Sequence, residues 1–379
     1  MNQQRDFSLL LVALVCALAV LYTALFLCYM PFNHAVVARR DFIVYWATGQ
    51  QLLRHGNPYD PDALNRIEHD AGFQGPGSYY MRNVPWALPL AWPLGFFSPM
   101  TSALPWSLLM LALLAASVRI LIQLLGAPPN HLEWLGYCFP PALFCVLLGQ
   151  TSILLLFGLA LFLRLHKTRP FAAGMALWFC TLKPHLLLPF ALVLLLWILV
   201  ARAWRVLAGG ITAMAAGALI TALIDPAAFS QYLFYMRTSV VTREFTPCLG
   251  DLLRDSLHPS WEALAFLPAL LGCLWAVAWF WSRRHSWNWL DHGSLLLLVS
   301  LLVAPFGWVF DQTLAIPAIL FALTRNASRA AIAILALIYL LVEIQLNRFP
   351  LHSATYILIA PALLLWFLFA RSRSNPASY

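Results

Sequence analysis

Four polar residues are the most awkward for an apolar bundle: Asp41 just after a first hydrophobic stretch, Gln150 between two apolar runs, Lys183 inside a third, and Asp311 ahead of a fourth. Their types suit group transfer. A carboxylate such as Asp41 can take the proton of an attacking hydroxyl, while a cation such as Lys183 steadies a departing anion. Gln150 and Asp311 can hydrogen-bond a hydroxyl-rich substrate. This chemistry requires no metal ion, and neither a metal nor another cofactor is expected. Each residue also has a plainer use. Asp41 stands at the N-cap position of a helical stripe, and Lys183 can snorkel ahead of Pro184 at the first position of a helix. Gly149-Gln150-Thr151-Ser152 can be a tight turn, and Asp311 can cap a helix that starts at Gln312.

The elements that must position these groups belong to a membrane. Of 379 residues, 62% are hydrophobic and 10% charged, with a mean hydropathy of +0.77, which excludes an ordinary water-soluble globule. Apolar stretches at 8–30, 101–125, 132–148, 150–166, 171–182, 184–201, 204–224, 261–282, 287–304, 311–324, 329–346 and 351–371 predict an all-α bundle of about twelve transmembrane helices. Residues 84–98 are apolar too but hold Pro85, Pro89 and Pro93, so a re-entrant or interfacial segment is expected there. The chain reads as one domain over 1–379, with a first outer loop at 31–100 and a second at 225–260.

The net charge of +8 does not indicate nucleic acid, because Arg and Lys lie singly or in pairs at the ends of apolar runs. Their concentration in short loops places both termini in the cytoplasm. One consequence of that orientation is that Asp41, Gln150, Lys183 and Asp311 all fall on the outer side, where one pocket can hold them. Seven cysteines without CxxC spacing imply neither a disulfide framework nor a zinc site. Within the first outer loop, Phe42, Tyr45, Trp46, Gly49, Leu52 and Leu53 recur at helical spacing. They predict a short amphipathic helix lying on the outer membrane surface.

Order and spacing add a resemblance. Asp41-Phe-x-x-Tyr-x-Ala ending in Gly56-Asn-Pro-Tyr59, then Leu148-Gly-Gln-Thr-Ser-Ile153, then Leu182-Lys-Pro184, then Ala304-Pro-Phe-Gly-Trp308 with Asp311 following, is similar to glycosyltransferase family 87. These are integral-membrane sugar transferases of the GT-C fold, typified by polyprenyl-phosphate-mannose-dependent α-mannosyltransferases. The resemblance implies inverting transfer of a sugar from a polyprenyl-phosphate donor to a glycan, glycolipid or protein hydroxyl, with Asp41 as the catalytic base. Lys183, His185, Arg82, Arg237, Arg243 and Arg254 are the candidates for the donor phosphate, and Tyr45, Tyr59, Gln150, Trp308 and Asp311 for the sugar or acceptor. In the family pattern an acid or His pair closely follows the Pro-x-x-Trp motif, whereas here Val309 and Phe310 come next. The departure leaves mannose open as the donor sugar.

The expected location is the bacterial cytoplasmic membrane, with the site on the periplasmic or extracellular side. A transporter or flippase for a polyprenyl-linked sugar or small solute is the rival reading, since an intramembrane Lys and broken helices suit one as well.

Overall fold

Proline, serine and glycine punctuate the apolar runs, and the helices start and stop at them. The computed structural model describes residues 3–75, 79–239 and 244–372, which contain helices and no strand. In chain order the longer helices are α1 (Gln3–Tyr29), α2 (Phe42–Leu53), α3 (Pro61–Asp70), α4 (Pro99–Leu125), α5 (Pro140–Leu148), α6 (Ser152–Leu165), α7 (Pro170–Ala176) and α8 (Leu188–Val200). They continue with α9 (Trp204–Ile224), α10 (Ala228–Thr238), α11 (Leu249–Leu257), α12 (Leu267–Arg283), α13 (Trp289–Val303), α14 (Ile316–Arg325), α15 (Arg329–Arg348) and α16 (Ile359–Ser372). In α4 the Ser98 hydroxyl accepts from Thr101 N, Pro99 opens the first turn, and Gly126 stops the helix at φ +90°. Gly149 ends α5 in the left-handed helical region, at φ +75° and ψ +27°.

Among the described residues, seven helical stretches are long and apolar enough to cross a membrane: 12–32, 99–125, 129–148, 204–224, 262–283, 329–348 and 354–372. Large apolar side chains lie exposed along them, including Leu14, Leu18 and Leu25 on α1 and Ile211, Leu219 and Leu223 on α9. Hydrocarbon is the solvent such surfaces require, so the chain is an integral membrane protein. The twelve expected stretches are all helical, but not all are spans by length. Pro170–Leu182 and Pro184–Val200 form one pair bent by 117°, with Lys183 at the break, and α6 and α13 are shorter apolar helices. The 14-residue α6 reaches only about 21 Å and is buried along nearly its whole length. Neighbouring helices, rather than lipid, surround it.

The first outer loop folds differently from expectation. A helix does occupy 42–53, but it does not lie amphipathically on a surface: Val44, Ala47, Thr48 and Gln51 are buried along with the Phe42 and Tyr45 stripe. Its second cover is the proline-broken stretch 85–97, a run of short helical turns. Trp46 Nε1 donates to Phe97 O at 2.8 Å and Gln50 Nε2 to Gly95 O at 2.5 Å. Gly49 and Gly95 meet backbone to backbone, so a methyl group on either would overlap the other's main chain.

Candidate active site

Asp41 opens α2 without capping it: its backbone is already helical (φ −60°, ψ −17°) and its side chain makes no bond to the first turn. The carboxylate instead accepts from Gln150 Nε2 at 2.6 Å. Gly149 turns the chain out of α5 and places Gln150 there. The Gln150 carbonyl oxygen accepts from Tyr45 OH and from Lys183 Nζ, both at 3.2 Å. Lys183 Nζ also donates to Ser152 Oγ at 3.1 Å and Asp311 Oδ1 at 2.8 Å, and lies 4.6 Å from the Phe310 ring centroid. Ser152 Oγ donates to Asp311 Oδ1 at 2.5 Å, while Asp311 Oδ2 accepts from Trp308 N at 2.9 Å.

A continuous hydrogen-bonded chain, Asp41–Gln150–Lys183–Asp311, thus joins the four residues most awkward for an apolar bundle. The Lys183 and Asp311 side chains are 12% and 2% exposed. The ammonium therefore turns inward to a counter-charge and does not snorkel. Burial pushes the Asp41 carboxyl above the ordinary carboxylate range, opposed by the Gln150 hydrogen bond and then by the charges of Lys183, Arg40 and Arg82. A raised value makes the ionised form a stronger base. A small apolar cavity of about 10 Å³ adjoins Tyr45, bordered by Trp106, Leu90, Thr151 and Leu182.

The other expected residues are placed less centrally. Trp308 reaches the chain through its backbone, and its ring packs 4.9 Å from that of His352. The His185 ring lies 6.2 Å from that of Phe306. Tyr59 is buried away from the network, donating to Asn83 O at 3.0 Å and packing on Tyr232 and Tyr235. Arg82 pairs with Glu244 at 2.5 Å across the two outer loops, and Arg237 is exposed on α10. Arg254 is buried in ion pairs with Asp251 and Asp255, each at 2.9 Å. Arg243 lies outside the described residues. The Asp-x-Asp triplet Asp60-Pro61-Asp62 caps α3, with Asp60 Oδ1 accepting from Asp62 N and Ala63 N.

Sequence reasoning did not name Arg40 or Phe310 as site residues and read Ser152 only as one hydroxyl of the Gly149–Ser152 turn. Ser152 stands inside a quoted motif and Phe310 beside one, while Arg40 directly precedes Asp41 and reads as a loop charge. Arg40 is 2% exposed, and burial pushes its guanidinium down to about 10, leaving it cationic at neutral pH.

The family model of glycosyltransferase family 87 matches residues 83–305, more than half of the chain, including Gln150, Ser152 and Lys183. No curated protein and no solved structure matches it. On the extent of the family match, the chain belongs to glycosyltransferase family 87.

Proposed function

We propose that this glycosyltransferase moves a sugar, mannose as the first choice, from a polyprenyl-phosphate donor to a glycan, glycolipid or protein hydroxyl, with inversion and without a metal ion. The observation that carries the reading is the Asp41 carboxylate: released from capping, raised in basicity by burial, and aimed by Gln150. Asp41 takes the proton of the acceptor hydroxyl as that oxygen attacks the anomeric carbon from the side opposite the phosphate. Lys183, whose three donors are matched by Gln150, Ser152 and Asp311, exchanges one of them for a phosphate oxygen as charge develops on the leaving group. An ammonium then supplies the positive charge that a divalent ion supplies to nucleotide-sugar enzymes.

The site faces the outer side of a bacterial cytoplasmic membrane in this reading, with twelve alternating crossings and both termini inside. Contacts between helix ends support the alternation. Thr221 Oγ1 donates to Pro85 O, Cys248 Sγ to Pro305 O, and a His352 ring nitrogen lies 3.3 Å from Phe245 O, all at the end that holds Asp41. The Arg325–Asp291 pair and the Asn326–Ala370 hydrogen bond join the opposite ends.

The test is transfer of radiolabelled sugar from a panel of polyprenyl-phosphate donors to membrane glycolipid acceptors, by purified protein in detergent with EDTA. Wild type forms product, and Asp41→Asn falls about 10²- to 10⁴-fold, the usual worth of a general base. Undiminished transfer by Asp41→Asn removes Asp41 as the base. Loss of wild-type activity in EDTA overturns metal independence, and product from nucleotide-sugars alone overturns the donor class.

A further inference from the structure

Arginine in an outer loop ordinarily extends to water, yet Arg40 is buried and its guanidinium is committed on every side. Nε donates to Leu147 O; Nη2 donates to Val146 O at 3.0 Å and Ser107 Oγ at 2.6 Å; Nη1 lies 2.6 Å from Met30 Sδ. The rings of Phe26 and Phe42 flank it, each centroid 5.8 Å from Cζ. Val146 and Leu147 belong to the last turn of α5, where the helix dipole is negative and the final carbonyls lie beyond the regular helical ladder; Val146 O also accepts from Gly149 N at 3.1 Å. Three residues beyond Leu147 comes Gln150, the partner of Asp41. Two adjacent residues on one strand of chain therefore hold two nearby points on another: Arg40 grips the carbonyls that end α5, and Asp41 meets the amide that follows them.

We propose that Arg40 is a positioning residue for Asp41, pinning the peptide that carries the carboxylate to the end of α5 so that the Asp41–Gln150 hydrogen bond keeps its register. The inference rests on the reading of Asp41 as base. The planar fork of arginine matches the task, since Nε and Nη2 reach two successive carbonyls while Nη2 also reaches a hydroxyl on α4. A lysine ammonium is a point donor without that geometry. Gly149 contributes by having no side chain: a Cβ there would sit 3.3 Å from Arg40 Nη2 and 2.7 Å from Phe42 Cβ. The ionisable groups around Asp41 are Arg40 and Tyr45 on its own segment, Tyr79 and Arg82 from the rest of the first loop, and Lys183 with Asp311 behind it.

The experiment compares Arg40→Lys, Ser107→Ala and Asp41→Asn with wild type, all purified and quantified as folded protein, using polyprenyl-phosphate-mannose as donor. A second readout needs no turnover: dicyclohexylcarbodiimide labels protonated carboxyls, and mass spectrometry of the Asp41 peptide against pH gives the midpoint of its protonation. Arg40→Lys lowers kcat about 100-fold with KM within about twofold, as expected for a misplaced catalytic group. Ser107→Ala, which removes one partner and keeps the guanidinium, lowers it about 3- to 10-fold by the same argument. In both, the labelling midpoint rises because the carboxylate loses its fixed amide donor. Unchanged kcat per folded molecule with an unmoved midpoint overturns the proposal, and if Arg40→Lys does not fold, Ser107→Ala decides it alone. Full transfer by Asp41→Asn sinks the base assignment; an inactive Asp41→Asn beside fully active Arg40→Lys and Ser107→Ala sinks only the positioning role.

Discussion

Lys183 and Asp311 show how a charge survives among apolar helices: the ammonium has all three donors matched, and the carboxylate is met by an ammonium, a hydroxyl and a backbone N–H. Removing one member leaves the other buried and unpaired, which typically costs about 3–5 kcal/mol. Lys183→Met should therefore lower the thermal midpoint of the detergent-solubilised protein sharply. Lys183→Met combined with Asp311→Asn should recover most of that loss while transfer stays absent; a double variant as unstable as the single one would show that packing, not charge, holds this region. Asp41 sets a pH dependence of definite sign. As the proposed base it acts ionised, and burial raises its value, so kcat/KM should fall as pH drops through a limb above the model-peptide value of about 3.9. An acid limb at or below that value would indicate a well-solvated carboxylate. The four polar residues were legible because each stands inside or at the end of an apolar run, where an unpaired polar group is expensive and visible in sequence. Arg40 was not, because a guanidinium bonding main-chain carbonyls over a hundred positions away leaves no trace in residue type or spacing.

At the scale of elements, α2 is held by the stretch 85–97, with Gly49 packed backbone to backbone against Gly95. Gly49 lacks a positive φ, so Gly49→Ala tests packing alone. It should cost about 1–3 kcal/mol as overpacking and lower the thermal midpoint by more than Gly126→Ala. At Gly126 nothing lies within 4 Å of an added methyl group and only its φ of +90° resists the change. Equal shifts in the two would mean the helix and its cover separate readily. The position of α2 followed from the spacing of its apolar residues, but its burial did not. Periodicity reports one covered face, and the second cover comes from a proline-broken segment whose short turns carry no helical period.

For the whole molecule, the arrangement of twelve helical stretches is open to thiol labelling of intact cells. With exposed Cys28 replaced by Ser, His258→Cys should react with an impermeant maleimide from outside, and His131→Cys and Arg202→Cys only after permeabilisation. The reverse pattern would invert the protein in its membrane and put the site on the cytoplasmic side. Charge bias in short loops is the basis of this orientation, which the labelling tests; the shortness of α6 and α13 was not legible, because span length in sequence does not say whether lipid or protein surrounds a helix. The network also sets an order of assembly. Asp41 is synthesised first, Gln150 and Lys183 follow, and Asp311 emerges only after some four-fifths of the chain has been made. Until then Lys183 lacks its counter-ion, and a chain that stops short of Asp311 leaves an uncompensated cation among apolar helices. The ion pair that closes the network thus forms only as the last fifth of the chain is added.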